Sequence, residues 1–284
     1  MLPVAGDELL EALNVRVMGD EEAQLTLVLA HGFGCTQTVW EDVLPTLLNH
    51  PIQGGIRTII FDWPGAASTE LTPQPAFYPA FSHILLSILQ HLHVSSCIYV
   101  GHSMAAMIGC IAALQQPDLF DKLILVGASP RYLNTEAYYG GFEQEELDQL
   151  YGAMANDFHG WAAGFARAVV GADADKEAVA KFEAMLSGMQ PEVALGMAKS
   201  IFQSDYRGVL EDLADKLHNE NIDGMKVVVL QTRKDGAVPP AVSDYLKLHL
   251  GSKARVEVLQ VEGHVPHLSA PHLFTSALLN NILD

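Results

Sequence analysis

The strongest constraint on this chain is a serine held between two small residues, where an apolar strand stops and a helix starts. Ile98-Tyr99-Val100 is a β-prone run that breaks at Gly101-His102-Ser103, and Met104-Ala105-Ala106-Met107-Ile108-Gly109 follows as a helix-compatible run. In such a layout the serine sits on a strained turn and its hydroxyl stands clear of the sheet, as a nucleophile requires. Strand and helix then pass each other closely, which calls for small side chains on both sides of the serine. Gly101 supplies one, and Ala105 stands where a second glycine is common. A Gly-x-Ser-x-small string also arises by chance in a chain with 23 glycines, so the motif has weight only if a base and an orienting acid follow it.

Both follow, in the order Ser, Asp, His. The β-prone run Val227-Val228-Val229-Leu230 leads through a polar stretch to Asp235-Gly236-Ala237-Val238-Pro239, where an orienting carboxylate belongs. A further strand-like run, 256–261, ends at Glu262-Gly263-His264. His264 is the candidate base, taking the proton of Ser103, and Asp235 the residue that fixes its tautomer and stabilises its imidazolium. Asp212, Asp215 and Asp223 precede the strand, and Asp244 falls in a helical run, where acids cap or face solvent. His267 is the nearest rival to His264 but lacks a preceding glycine, and His50, His91 and His93 read as solvated or packed positions. A fourth element lies upstream. The run Leu25-Thr26-Leu27-Val28-Leu29-Ala30 enters His31-Gly32-Phe33-Gly34, whose small residues allow backbone amides to face a developing oxyanion. The expected donors are the amides of Phe33 and Met104.

Strands are expected at 25–30, 57–61, 98–100, 122–126, 227–230 and 256–261, with an antiparallel edge near 14–18. Helices are expected at 39–48, 80–91, 104–115, 243–250 and 273–282. Most of the strands are continuous apolar runs, the pattern of a parallel sheet covered on both faces. The alternation specifies an α/β chain with a mostly parallel, doubly wound sheet, here of the α/β-hydrolase kind. Between 126 and 227 strand signal fades and helical spacing takes over. Four helices are read there, on Leu147/Leu150/Tyr151/Met154, Phe158/Trp161/Phe165/Val169, Val179/Phe182/Met185/Leu186 and Val193/Leu195/Met197/Phe202. They form a four-helix cap (lid) of residues 131–205 inserted over the active site, at the edge where open α/β sheets bind ligands. Residues 1–130 and 206–284 make the core.

Composition narrows the function classes. Lys and Arg number 16 against 34 Asp and Glu, a formal charge of −18, which disfavours nucleic acid and anionic membrane as partners. No apolar run reaches 18 residues, and the first residues lack a secretory pattern, so a cytoplasmic protein with no membrane contact is expected. Cys35, Cys97 and Cys110, an odd set at unrelated spacings, fit a reducing compartment. No His-x₃-His or Cys-x₂-Cys pair and no glycine-rich phosphate loop occurs, so neither a metal nor a cofactor is expected.

Longer stretches carry a closer resemblance: 31–40, 97–109, 119–134, Gly140-Gly-Phe-Glu-Gln, Ile201-Phe-Gln-Ser-Asp-Tyr-Arg-Gly208 and 263–271. Over most of its length the chain resembles the plant α/β-hydrolases that perceive strigolactones and karrikin-like signals, and their bacterial relative that regulates a stress sigma-factor phosphatase. The resemblance implies a receptor for a small apolar butenolide-type ligand, with slow ester or enol-ether hydrolysis by Ser103. It implies a ligand pocket lined by Phe33, His102, Tyr132, Phe142, Leu150, Trp161, Phe165 and Phe202, with the bulky Leu150 closer to the karrikin type. It also implies ligand-dependent recruitment of an F-box ubiquitin-ligase subunit and transcriptional regulators, and a monomer found in cytoplasm and nucleus. The chain departs from the pattern in several places. Residues 62–68 lack a second glycine and 72–79 lack an Arg-Tyr pair. Met104 replaces a smaller residue and would narrow the pocket, and 212–223 forms an extra acidic, polar segment. A metabolic carboxylesterase and a non-catalytic ligand sensor remain as alternative readings.

Overall fold

The computed structural model describes residues 6–20, 22–66, 77–171, 175–219 and 225–284. Residues 67–76 and 220–224, Asp223 among them, carry some of the departures above and lie outside the described residues. Seven strands form one sheet: β1 (Arg16–Gly19), β2 (Leu25–Ala30), β3 (Ile56–Ile60), β4 (Cys97–His102), β5 (Phe120–Val126), β6 (Lys226–Lys234) and β7 (Ala254–Glu262), in the order β1-β3-β2-β4-β5-β6-β7. Strand β1 is antiparallel, on the β3 edge with Arg16 opposite Ile60. The other pairs are parallel. All six expected strands and the expected edge are present, because continuous apolar runs such as Leu27–Ala30 are buried on both faces of a covered sheet.

Among the described residues, twelve helices accompany the strands: α1 (Gly6–Ala12), α2 (Leu44–Leu48), α3 (Phe77–His91), α4 (Met104–Gln115), α5 (Gln144–Asn156), α6 (Phe158–Val170), α7 (Lys176–Ser187), α8 (Pro191–Phe202), α9 (Arg207–Asn219), α10 (Pro240–Leu250), α11 (Pro266–Ser269) and α12 (Pro271–Leu283). Helices α3, α4, α9 and α10 pack in one layer, and α2 and α12 pack together against the other side of the sheet. Helix α4 is apolar all round and buried from Met104 to Ala113, as a helix wedged between sheet and neighbours must be. Helices α5 to α8 are inserted between β5 and β6 and correspond to the four read from helical spacing.

One expectation is corrected. The helix expected over 39–48 is broken into a 3₁₀ turn, Gln37–Trp40, and α2, with Pro45 in the first turn of α2. Of the acidic stretch 212–223, the described part continues a helix. Residues up to 219 belong to α9, whose Leu210, Leu213 and Leu217 form a buried stripe while the acids face outward.

Candidate active site

Ser103 stands between the end of β4 and the start of α4 with φ 56° and ψ −121°, a strained conformation for a residue with a Cβ. Its N–H donates to Val126 O at 2.8 Å, which ties the turn to the neighbouring strand. A Cβ on Gly101 would lie 2.7 Å from both Ala105 O and the Tyr99 ring, so strand and helix do pass as closely as the small residues imply. Tyr99 Oη donates to that same Ala105 carbonyl at 2.8 Å and fastens the first turn of α4 to the strand.

The three dispersed residues meet here. His264 Nε2 and Ser103 Oγ lie 2.8 Å apart, and His264 Nδ1 lies 2.8 Å from Asp235 Oδ2. Asp235 Oδ1 accepts from the amides of Ala237 and Val238 at 2.8 and 2.9 Å, so the carboxylate is fixed from behind and offers its other oxygen to the imidazole. The amide of His264 donates to Val169 O at 2.6 Å, and that of Gly263 to Lys234 O at 2.8 Å. Gly263 has φ +94°, and a Cβ on it would sit 2.0 Å from Val170 O. The end of α6 thus grips the loop that carries His264.

The segment 31–37 lies across the elbow. A Cβ on Gly32 would meet Ser103 Cβ at 3.0 Å and His102 Nδ1 at 2.5 Å. His31 Nε2 accepts from the Trp63 amide at 3.1 Å, so its proton is on Nδ1, which donates to Gly32 O at 2.9 Å. The carbonyl so held belongs to the peptide unit whose N–H is that of Phe33. Asp62 supports the same segment, accepting from Gln37 N at 2.7 Å and from Gln37 Nε2 and Asn14 Nδ2, each at 3.1 Å. Among the described residues the Phe33 amide donates to no backbone acceptor, and the Met104 amide, at the first helical position, has no partner within the helix.

Two further histidines, His102 and His267, neighbour His264, and His31 lies near both of them. Burial lowers the pKa of His31 and holds His102 well below the usual imidazole range; burial and the nearby His264 lower His267 to about 3. His102 Nε2 donates to His264 O at 2.9 Å, and the His267 ring stacks on Trp40 at 4.3 Å. Rings kept neutral by burial therefore neighbour His264, which is hydrogen-bonded to a carboxylate. Burial pushes the Cys35 thiol up to about 12, which leaves it no thiolate character.

Above Ser103 lies a narrow cavity of about 20 Å³, room for one water. Of the residues expected to line it, Phe33, Tyr132, Phe165 and Phe202 do. Four do not. His102 is buried beneath the elbow, Phe142 packs edge-on behind Phe202 at 5.5 Å, Trp161 stacks behind Phe165 at 4.9 Å, and the half-buried Leu150 sits elsewhere on α5. Met104 is fully buried and off the wall, so its side chain does not narrow the cavity. Val169, Phe182, Ile201 and Ala237 complete the wall. The buried Tyr132 hydroxyl lies close enough to Ser103 to interact with it, without a well-formed hydrogen bond to any described residue.

The fold is shared with known proteins. A family model described as the alpha/beta hydrolase fold matches residues 26–271. A hydrolase from Oleispira antarctica superposes with a TM-score of 0.87 at 27% identity, covering 100% of this chain and 99% of that one. The chain is 43% identical over 280 residues to Karrikin insensitive 2 receptor CA of Petunia hybrida, covering 96% of each. It is 40% identical over 269 residues to strigolactone esterase D14 of Arabidopsis thaliana, covering 93% of each. The chain belongs to the α/β-hydrolase fold family, and within it to the group of karrikin-insensitive 2 receptors and strigolactone esterases. No helix among the described residues is long and apolar enough to cross a membrane.

Proposed function

We propose that this chain is a slow serine hydrolase that serves as a receptor for a small apolar butenolide-type ligand, karrikin-like or strigolactone-type. One observation carries the reading: two 2.8 Å hydrogen bonds join Ser103, His264 and Asp235 beneath an apolar wall. Ser103 Oγ attacks the ligand's ester or enol-ether-linked carbonyl carbon and passes its proton to His264 Nε2. Asp235 keeps the Nδ1–H tautomer and stabilises the imidazolium. The amides of Phe33 and Met104 donate to the oxyanion, each worth roughly 3–4 kcal/mol in the transition state. His264 then protonates the leaving oxygen, and water releases the acyl group from Ser103 by the reverse sequence. The buried Tyr132 hydroxyl, beside Ser103, serves as a donor to the bound ligand.

The receptor part of the reading draws on the cavity. A ligand larger than water has to displace Phe182 and Phe202, which stand on α7 and α8, so occupancy alters the packing of residues 131–205, the proposed cap. Residues 1–130 and 206–284 then form the core. A monomer in cytoplasm and nucleus, whose liganded cap recruits an F-box ubiquitin-ligase subunit and transcriptional regulators, completes the proposal. The test is intact-protein mass spectrometry after addition of a strigolactone-type butenolide to wild type and Ser103→Ala. An adduct or butenolide product seen only in wild type is the expected result. Absence of both, in a chain that still cleaves simple aryl esters, would point to a metabolic esterase instead.

A further inference from the structure

A second concave site lies at the opposite end of the sheet. It is a hollow of about 420 Å³ lined by Lys122, Lys226, Lys247, Lys253 and Arg255, with Asp284 as the one acidic side chain on its wall. Five of the chain's 16 cationic residues thus converge on one hollow, in a protein whose formal charge is −18. Strand register brings several of them together. Lys122 on β5 pairs with Lys226 on β6, and Val228, two residues further along β6, pairs with Arg255 on β7. Residues at such positions share one face of a sheet. Loop and helix add Lys253 and Lys247 from the same end. Ser103, Asp235 and His264 follow the far ends of their strands; β6 alone spans nine residues, roughly 30 Å at about 3.3 Å per residue.

Internal partners leave most of this charge uncompensated. Lys122 Nζ donates to Asn281 O and Lys247 Nζ to Ala254 O, both neutral carbonyls, while Lys226 Nζ donates to the main-chain oxygen of Asp284. Each ammonium has three N–H donors, so these contacts leave others to turn into the hollow. Burial, together with the neighbouring charges of Lys226 and Arg255, lowers the pKa of Lys122. Arg255 holds the Asp284 side-chain carboxylate at 3.0 Å, so an anionic group already occupies the rim. Buried Met225, Val227 and Ala254 supply an apolar floor.

We propose that this hollow is a binding site for a small anion carrying two or more phosphate charges, free or as part of a nucleotide. Compact ammonium groups approaching from different strands suit the several oxygens of a di- or polyphosphate better than the flat face of a carboxylate. The Asp284 side chain competes with the ligand for Arg255.

Isothermal titration calorimetry of the full chain at fixed ionic strength tests this, with pyrophosphate, ADP and citrate as probes. Saturable binding of pyrophosphate or ADP is expected, at least tenfold tighter than citrate. Tighter ADP would assign the site to a nucleotide, and equal or tighter pyrophosphate to the free anion. Lys226→Gln combined with Lys253→Gln should weaken binding at least tenfold. Asp284→Asn should tighten it severalfold, a gain that a poorly folded variant would not produce. Absence of saturable binding, equal citrate affinity, an unmoved double variant or no gain in Asp284→Asn would each overturn the proposal.

Discussion

Asp235 divides its two oxygens between the backbone and the base, and that division predicts how a minimal change would act. In Asp235→Asn the amide oxygen can still accept from Ala237 and Val238. Its NH₂ then faces His264 Nδ1 and forces the ring proton onto Nε2, where it blocks proton transfer from Ser103. A fall in kcat of about 10⁴ on an aryl ester is expected with little change in thermal stability, since the same change costs that much in a serine protease. A loss below tenfold would remove Asp235 from the proposed mechanism. The neighbouring histidines govern pH dependence. His267 is lowered to about 3, and His31 and His102 are also lowered. Below about pH 6.5 the unfolded chain takes up protons that these rings refuse in the folded state, so stability is full above that value and is lost as pH falls towards 3. Each such ring contributes a slope of up to about 1.4 kcal/mol per pH unit. His267→Phe keeps the ring stacked on Trp40 and should flatten the decline in Tm between pH 6.5 and 4; an unchanged profile would count against it. His264 could be told from His267 in the sequence because a glycine precedes it. Gly263 turns with positive φ under the end of α6 just where the base must enter the site.

Among the elements, the link from α6 to the His264 loop joins the inserted helices to the sheet through a contact that a single substitution can break. Gly263→Ala places a methyl group 2.0 Å from Val170 O and asks an alanine to adopt φ +94°. Strain at such a position costs of order 1–3 kcal/mol, and relief requires the loop to leave α6, which breaks the 2.6 Å bond from His264 N to Val169 O. The variant should lose Tm and drop at least tenfold in kcat on an aryl ester while KM changes less. Wild-type turnover would show that α6 does not position the base. Elements of this molecule were legible to the extent that their burial pattern was simple. Strands buried on both faces announced themselves as apolar runs, and α4 as an unbroken small and apolar stretch. Helix α9 did not, because Glu211, Asp212 and Asp215 interleave with Leu210, Leu213 and Leu217 and mask a regular buried stripe. The cavity wall was half legible for a related reason. Spacing finds the apolar faces of α5 to α8 but does not say which part of a face meets Ser103 and which meets a neighbouring helix. Phe182 and Ile201 reach the cavity, whereas Trp161 and Leu150 do not.

For the molecule as a whole, charge is the property that reaches across every element. A formal −18 spread over 284 residues repels itself in the compact state, while Arg131–Asp205–Arg207 and Lys181–Asp42 are local ion pairs that offset only a small share of it. Exposed pairs of this kind contribute about 0–1 kcal/mol each. Screening acts on the long-range remainder, since the Debye length shrinks from about 30 Å at 0.01 M salt to about 8 Å at 0.15 M. Stability should therefore rise across that range, by a few degrees in Tm, and then level off once the screening length falls below the spacing of surface charges. An anion held in the cationic hollow, as proposed, would act differently, by neutralising mutual repulsion among its lysines. A salt series of the right composition separates the two effects. Sodium chloride and choline chloride at equal ionic strength should raise Tm alike, because screening depends on ionic strength and not on which monovalent cation provides it. Pyrophosphate at constant ionic strength should add a saturable increment that Lys226→Gln with Lys253→Gln abolishes. A Tm that falls with chloride would mean that local pairs outweigh the net charge, and that self-repulsion does not limit the stability of the compact state.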